Sequence, residues 1–430
     1  MEKVHVIGAG LAGSEAAYQL VKRGIGVVMH EMRPLKMTPA HQTGHFAELV
    51  CSNSFRSNSE ENAVGLLKKE MEYLDSLIIK QAYLNQVPAG SALAVDRLAF
   101  SSGVEVCLRN HPLIEIRTEE VVSIPNEPTI IATGPLTSPD FLQAIASFCG
   151  NEFFHFYDAV APIVLASSID FSKAYWKSRY DKGEAAYINC PLTEEEFHAF
   201  YDFLIHAQQN LPHDFEYQVF EGCMAVEEMA KRGEKTLLFG PMKPVGLEHP
   251  ETKVRPYAVV QLRQDDFSKS MFNVVGFQTQ LKWPEQKKLL QMVPGLTNCE
   301  IVRYGVMHQN TYLDSPHILY STYQTKKRAD LFFAGQITGV EGYIESAASG
   351  MMAGINMAKL LTSEPLVTFS KQTGLGTLAH YISSPNTNFV PMNVNFGLFE
   401  ELSGRIRKQD RKKLYKERSL NELERMKERL

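Results

Sequence analysis

Two cysteines stand in settings that could do chemistry. Cys51 lies in Phe46-Ala47-Glu48-Leu49-Val50-Cys51-Ser52-Asn53-Ser54, flanked by small polar residues in a loop-rich stretch. Cys223 lies in Phe220-Glu221-Gly222-Cys223-Met224, a glycine-preceded turn beside an acid, with Lys231, Arg232 and Lys235 following. A thiol becomes a nucleophile when a neighbouring base or a positive field favours its thiolate, and both settings permit that. Each also suits a small core residue, which free cysteine often is. Cys107, Cys149, Cys190 and Cys299 lack such surroundings and read as structural. No CxxC pair is present, so neither a zinc knuckle nor a disulfide scaffold is expected, and dispersed thiols suit a reducing cytoplasm. His41 and His308 make no metal spacing with carboxylates or thiols, although either ring could stack on a flat heterocycle. No metal is expected.

A second chemistry is written at the N-terminus. Gly8-Ala9-Gly10-Leu11-Ala12-Gly13 follows a short apolar run and opens an alanine-rich segment at 14–22, and a second apolar run closes on Glu31. Strand, glycine turn, helix, strand and acid form the dinucleotide-binding unit. Gly8 permits the tight turn, Gly10 lets backbone approach a pyrophosphate, and Gly13 lets helix and strand pack closely. The helix N-terminus presents free N–H groups and a positive dipole end to phosphates, and Glu31 can accept from a ribose. A second glycine segment, Phe333-Ala334-Gly335-Gln336 followed by Gly339 and a small-residue helix, returns some 300 residues later. A nicotinamide-only domain has no need of it, whereas an FAD domain uses it to close over the ribityl chain and flavin. FAD is therefore expected, with Gly134 at the end of a further strand completing the cofactor residues.

These groups must be positioned by an α/β frame. The expected fold is a Rossmann-type FAD-binding domain with an inserted mixed α+β substrate domain. Residues 1–152 form the first part of the FAD domain, 153–298 the insertion, 299–362 the returning part, and 363–430 a C-terminal segment with a basic helix. Within the first part, helices are expected over 61–83 and 98–109, and strands over 114–117, 121–124 and 129–132. Gly374-Leu375-Gly376-Thr377 lacks a preceding strand and reads as loop, and a helix is expected over 345–361.

Composition bounds the rest. With 44% hydrophobic and 22% charged residues in 430, the chain can build packed cores. No apolar run approaches the roughly 18 residues of a membrane span, and the early first strand leaves no room for a signal peptide. The net charge of −5 hides an asymmetry: residues 404–430 carry 11 Lys/Arg against 5 Asp/Glu, a basic arm on an acidic body.

Beyond these local readings, the chain resembles a known family. Gly8 to Ala17, Glu31-Met32-Arg33-Pro34 and Glu48 to Ser54 are similar to the folate- and FAD-dependent tRNA uracil-5 methyltransferases. So are Ser178-Arg179-Tyr180-Asp181-Lys182-Gly183, Phe220 to Met224, Gly240-Pro241-Met242-Lys243-Pro244-Val245-Gly246, and Gly335 to Gly342. The resemblance implies transfer of a one-carbon unit from methylenetetrahydrofolate to C5 of the T-loop uridine of tRNA, with electrons from NADH or NADPH passing through FAD. It carries the family's two functional cysteines onto Cys51 and Cys223. One thiolate would add at uracil C6 to make C5 nucleophilic, and the other would handle protons; which does which stays open. A larger wobble-uridine flavoprotein shares the glycine turn and the Gly335 segment but has a further helical region and a threonine-rich stretch at 339–345. Ribosomal RNA as target, a small-molecule flavin oxidoreductase, and a non-catalytic RNA-binding flavoprotein are the alternatives.

Overall fold

The strand Val4–Ile7 pairs in parallel with Val27–Glu31, Val4 opposite Val27 and Ile7 opposite His30, and the helix Leu11–Lys22 connects them. In this computed structural model, which describes residues 3–150, 154–181, 184–210, 224–404, 406–407 and 409–429, they form the centre of a five-stranded parallel sheet. Its order is Leu331–Phe333, Thr129–Ile131, Val4–Ile7, Val27–Glu31, Ile114–Thr118. The strands other than Ile114–Thr118 are almost continuously apolar and buried, as a parallel sheet covered on both faces requires. The returning strand pairs with Thr129–Ile131, Leu331 opposite Thr129. Gly8, Gly134, Gly335 and Glu31 thereby gather at the carboxyl ends of four strands, where open α/β sheets bind ligands.

Glycines set how closely the next layer approaches. A Cβ on Gly13 would lie 1.8 Å from the Gly8 carbonyl oxygen, so only glycine lets the first helix start this near the turn. The long helix Tyr343–Leu361 packs on Leu11–Lys22 at the same close range: a Cβ on Gly350 would sit 2.1 Å from the Ala12 carbonyl oxygen.

A second sheet has six strands in the order Tyr175–Trp176, Tyr187–Leu192, Ala258–Gln264, Met271–Val274, Ile163–Leu165, Ile301–Arg303, all neighbours antiparallel. Helices Glu194–His206 and Trp283–Gln291 contribute Phe197, Phe200, Leu204, Leu289 and Leu290 to its core, against Val260, Leu262 and Phe272. The chain enters this unit along Phe154–Ala159 and leaves along Met307–Tyr312, two strands paired antiparallel. The edge strand Ile301–Arg303 lies just past residue 298.

Several local expectations change. The 61–83 segment is two helices, Ala63–Tyr73 and Leu77–Leu84. Asp75 takes a left-handed φ of 61°, and the Ser76 hydroxyl restarts the helix by accepting from Ile79 N–H at 3.2 Å. Residues 121–124 are not a strand, because Ile114–Thr118 ends the sheet and they have no strand to pair with. Residues 374–377 open a helix, Gly374–Tyr381, whose free N–H groups at Gly374 and Leu375 are taken by the buried Glu70 carboxylate at 2.7 and 2.9 Å. The other Glu70 partner is Ser419 on the C-terminal helix Arg411–Met426, which buries Leu423 and Met426 against the body. The basic arm is thus a docked helix.

Gly350→Ala should cost at least about 1–3 kcal/mol through overpacking, outweighing a helix-propensity gain of about 1 kcal/mol. Urea denaturation of the FAD-loaded protein checks this, and an unchanged midpoint would refute the close-approach argument.

Candidate active site

The glycine turn opens onto a cleft that is open to solvent on one side. Gly8, with φ +97°, and Gly10 line it at one end. A Cβ on Gly8 would strike the Ala132 carbonyl at 2.7 Å, so this glycine serves the protein's own packing. A Cβ on Gly10 would meet nothing within 4 Å. The same is true of Gly134, also in the wall, with φ +68°. At Gly10 no protein atom demands a bare backbone; the open space beside it suits a phosphate drawn to the uncapped helix N-terminus. The cleft therefore fits the ADP half of a dinucleotide.

Glu31 closes this end. Its Oε2 accepts from Ala9 N–H at 2.9 Å, and its Oε1 from Arg33 N–H and Nε, each at 3.0 Å. Arg33 Nη2 adds a bond at 3.1 Å to Oε2. Burial pushes the Glu31 carboxyl up, but the Arg33 guanidinium and the N–H donors outweigh it and hold it below its usual range. A ribose hydroxyl reaching Glu31 meets a carboxylate already ionised and fixed in direction. Arg33 was not foreseen, although it stands two residues on in the run Glu31-Met32-Arg33-Pro34.

Cys51 lines the same cleft. The loop before it is tied to the glycine turn by Ala47 N–H donating to Ala9 O at 2.8 Å. The Tyr343 hydroxyl, at the start of the long helix, accepts from the backbone N–H of Cys51 at 2.7 Å and of Ser52 at 3.0 Å. From the other unit, Arg263 on the strand Ala258–Gln264 donates to Ser52 Oγ at 2.6 Å and Asn53 Oδ1 at 2.9 Å. Asn53 returns bonds to Val95 O and Gln264 O. The Cys51 thiol reaches Ala159 O at 3.7 Å, at the end of the incoming strand.

The charge around this loop is positive. Arg97 is buried and paired to Asp265 at 2.9 Å; burial opposes its charge, but Asp265, Tyr343 and Cys51 together hold its pKa raised. Arg263 and Arg303 are buried too, and burial lowers both. Asp265 acts on all three guanidinium groups and forms an ion pair only with Arg97. Excess buried cationic charge favours a thiolate or an anionic ligand nearby.

The remaining expected residues divide. Leu11, Ala12, Gly335 and Gln336 line the cleft; Gly335 N–H donates to Ser349 Oγ at 2.6 Å, and the Gln336 amide holds Glu341 at 2.7 and 2.8 Å. Ala9 and Gly13 stand behind the turn, outside the wall. Gly339 also lies outside it, its φ of +82° and a would-be Cβ 2.4 Å from the Phe389 ring giving it a packing reason to be glycine. His41 lines the cleft, hydrogen-bonded to Thr38 at 2.6 Å. Cys223 falls outside the described residues, as does the His308 side chain. Burial raises Cys107, Cys149, Cys190 and Cys299, the last three to about 11, 12 and 11 respectively, and none of the four lines the cleft. Among the described residues, no group of three His, Cys, Asp or Glu could hold a metal, and no helix is long and apolar enough to cross a membrane. Tyr343, Arg97, Arg263 and Arg303 were not foreseen: nothing local in sequence marks a side chain whose partner is two hundred residues away.

Comparison with known proteins agrees with this geometry. The family model described as glucose inhibited division protein A (GidA) matches residues 3–365. Methylenetetrahydrofolate–tRNA-(uracil-5-)-methyltransferase TrmFO of Listeria monocytogenes serotype 4b is 60% identical over the whole of both chains. The protein of that name from Bacillus subtilis is 59% identical over 98% of each. Among solved structures, Aquifex aeolicus GidA superposes with a TM-score of 0.67 at 17% identity, covering 99% of this chain and 75% of that one; it shows the same fold.

Tyr343→Phe should leave the Cys51 and Ser52 N–H groups without their acceptor, at a cost of about 1–3 kcal/mol. Cys51 should then be alkylated faster by iodoacetamide, followed by peptide mass spectrometry, with the flavin retained. Equal labelling rates would show that Tyr343 does not hold the loop.

Proposed function

The chain belongs to the GidA family and, along its whole length, to the methylenetetrahydrofolate–tRNA-(uracil-5-)-methyltransferases, and from that premise we infer how its cleft and thiols divide the work. The enzyme methylates C5 of uridine in tRNA, with methylenetetrahydrofolate as carbon donor and FAD as redox cofactor. The target is the T-loop uridine, and the product ribothymidine. A methylene unit needs two more electrons to become a methyl group; FAD, when bound, relays them from NADH or NADPH. The observation that carries this reading is that the glycine turn, Glu31 and Cys51 line one and the same cleft.

Gly8, Gly10, the N-terminus of Leu11–Lys22 and Glu31 would hold the ADP half of FAD, and Gly134, Gly335 and Gln336 line the same cleft. Uracil C5 is a weak nucleophile until a thiolate adds at C6. Cys223 supplies that thiolate, and Cys51, in its positive surroundings, handles the proton that C5 releases. The five-stranded sheet and its helices form the cofactor domain, and the inserted unit, whose sheet extends to Ile301–Arg303, presents the RNA. The work takes place in the cytoplasm, where tRNA, folate and reduced nicotinamide are available. tRNA bearing 5-fluorouridine has no removable C5 proton, so it should trap a covalent RNA–protein adduct that Cys223→Ala abolishes. Should Cys223→Ala still form the adduct while Cys51→Ala does not, the two roles are reversed.

The docked C-terminal helix leaves Arg411, Lys412 and Lys413 exposed at its N-terminal end. Phosphate contacts from such groups position RNA without reading bases. Replacing all three by Glu should also suit the helix dipole, so the fold should survive. The salt dependence of tRNA binding should then flatten by about 0.7–0.9 for each phosphate that is no longer neutralised. An unaltered slope would make this face an ordinary solvated surface.

A further inference from the structure

Asn310 lies within the outgoing strand Met307–Tyr312, opposite Phe156 in the antiparallel pair. Its side chain is 1% exposed and lines the cleft. Neither Nδ2 nor Oδ1 has a hydrogen-bond partner among the described residues. A buried carboxamide with both ends unpaired costs folding free energy on each atom, and an apolar residue would suit a buried strand better. Native proteins leave such groups unsatisfied chiefly where something else completes them.

The neighbours indicate what completes it. The strand packs against the turns Gly134–Leu136 and Gln336–Thr338, and Leu313 N–H donates to Ile337 O at 2.8 Å. The other polar groups on these turns are engaged: Gln336 with Glu341, and Thr133 with Thr137 at 2.6 Å. The strand also belongs to the Cys51 end of the cleft. Met307 pairs with Ala159, whose carbonyl meets the Cys51 thiol. Asn310 is three residues further along, about 10 Å at the usual strand rise. The ADP half has its own anchors in the glycine turn and Glu31.

We propose that Asn310 anchors the riboflavin half of FAD, donating from Nδ2 and accepting at Oδ1 together. Ribityl hydroxyls and the adjacent N–H and C=O of the flavin ring both offer the matching pair. The inference rests on the FAD reading above.

The test uses FAD-loaded wild type, Asn310→Leu and Asn310→Asp, with FAD affinity read from flavin fluorescence on serial dilution. Asn310→Leu removes both bonds and should weaken FAD about tenfold or more. Asn310→Asp keeps the shape, loses the donor, and should also weaken it. ADP, used as a competitor, should bind all three proteins equally. A shifted flavin absorption band alongside weaker binding places the contact on the ring; weaker binding with an unshifted band places it on the ribityl chain. A folded variant that holds FAD as tightly as wild type overturns the proposal. So does weakening of ADP in step with FAD, or a loss confined to tetrahydrofolate binding. Wild type that takes up no FAD would instead refute the cofactor reading itself.

Discussion

The loop carrying Cys51 is gripped from three directions, and the usefulness of the site depends on that grip. Ala9 O holds it to the glycine turn, the Tyr343 hydroxyl holds its backbone from the long helix, and Arg263 reaches Ser52 and Asn53 from the second sheet. On the reading proposed above the Cys51 thiol meets both a cofactor and a second substrate, and such a thiol has to be fixed relative to both folding units. Here the Arg263 bonds that help to fix it also join those units. Arg97, paired to Asp265 and also reaching the loop through Leu49 O, repeats the arrangement from a fourth element.

Close backbone approach supplies the other half of the design. Gly13 and Gly350 let two helices and a strand meet at distances that any side chain would forbid, which draws the first helix's N-terminus onto the end of the sheet. Gly10 and Gly134 differ in kind, since space rather than protein stands beside them. Packing glycines and approach glycines look alike in a motif, yet only the second sort faces the cleft unopposed. Electrostatics adds a second division: Glu31 and Arg33 fix an anionic acceptor beside the glycine turn, and three buried guanidinium groups stand around the Cys51 loop.

What the sequence determined by itself was local. A glycine spacing, an apolar run on each side and an acid thirty residues in are enough for the dinucleotide unit, because the turn, the helix start and the ribose acceptor are all built within one short stretch. The returning strand was legible for the same reason, as Phe333-Ala334-Gly335-Gln336 repeats a strand running into a glycine. Long shared motifs made the two cysteines stand out. Only the tertiary structure decided the rest. Residues 121–124 (Val-Val-Ser-Ile) have strand-like composition but no partner, and composition alone cannot supply one. Residues 374–377 look like a glycine loop, but Glu70, some three hundred residues earlier, takes their N–H groups and lets a helix begin. The tail reads as a basic helix, and only the fold shows that Leu423, Met426 and Ser419 dock it on the body. Tyr343, Arg263 and Asn310 carry no local signal at all, because each acts on, or faces, groups that only folding brings within hydrogen-bonding distance.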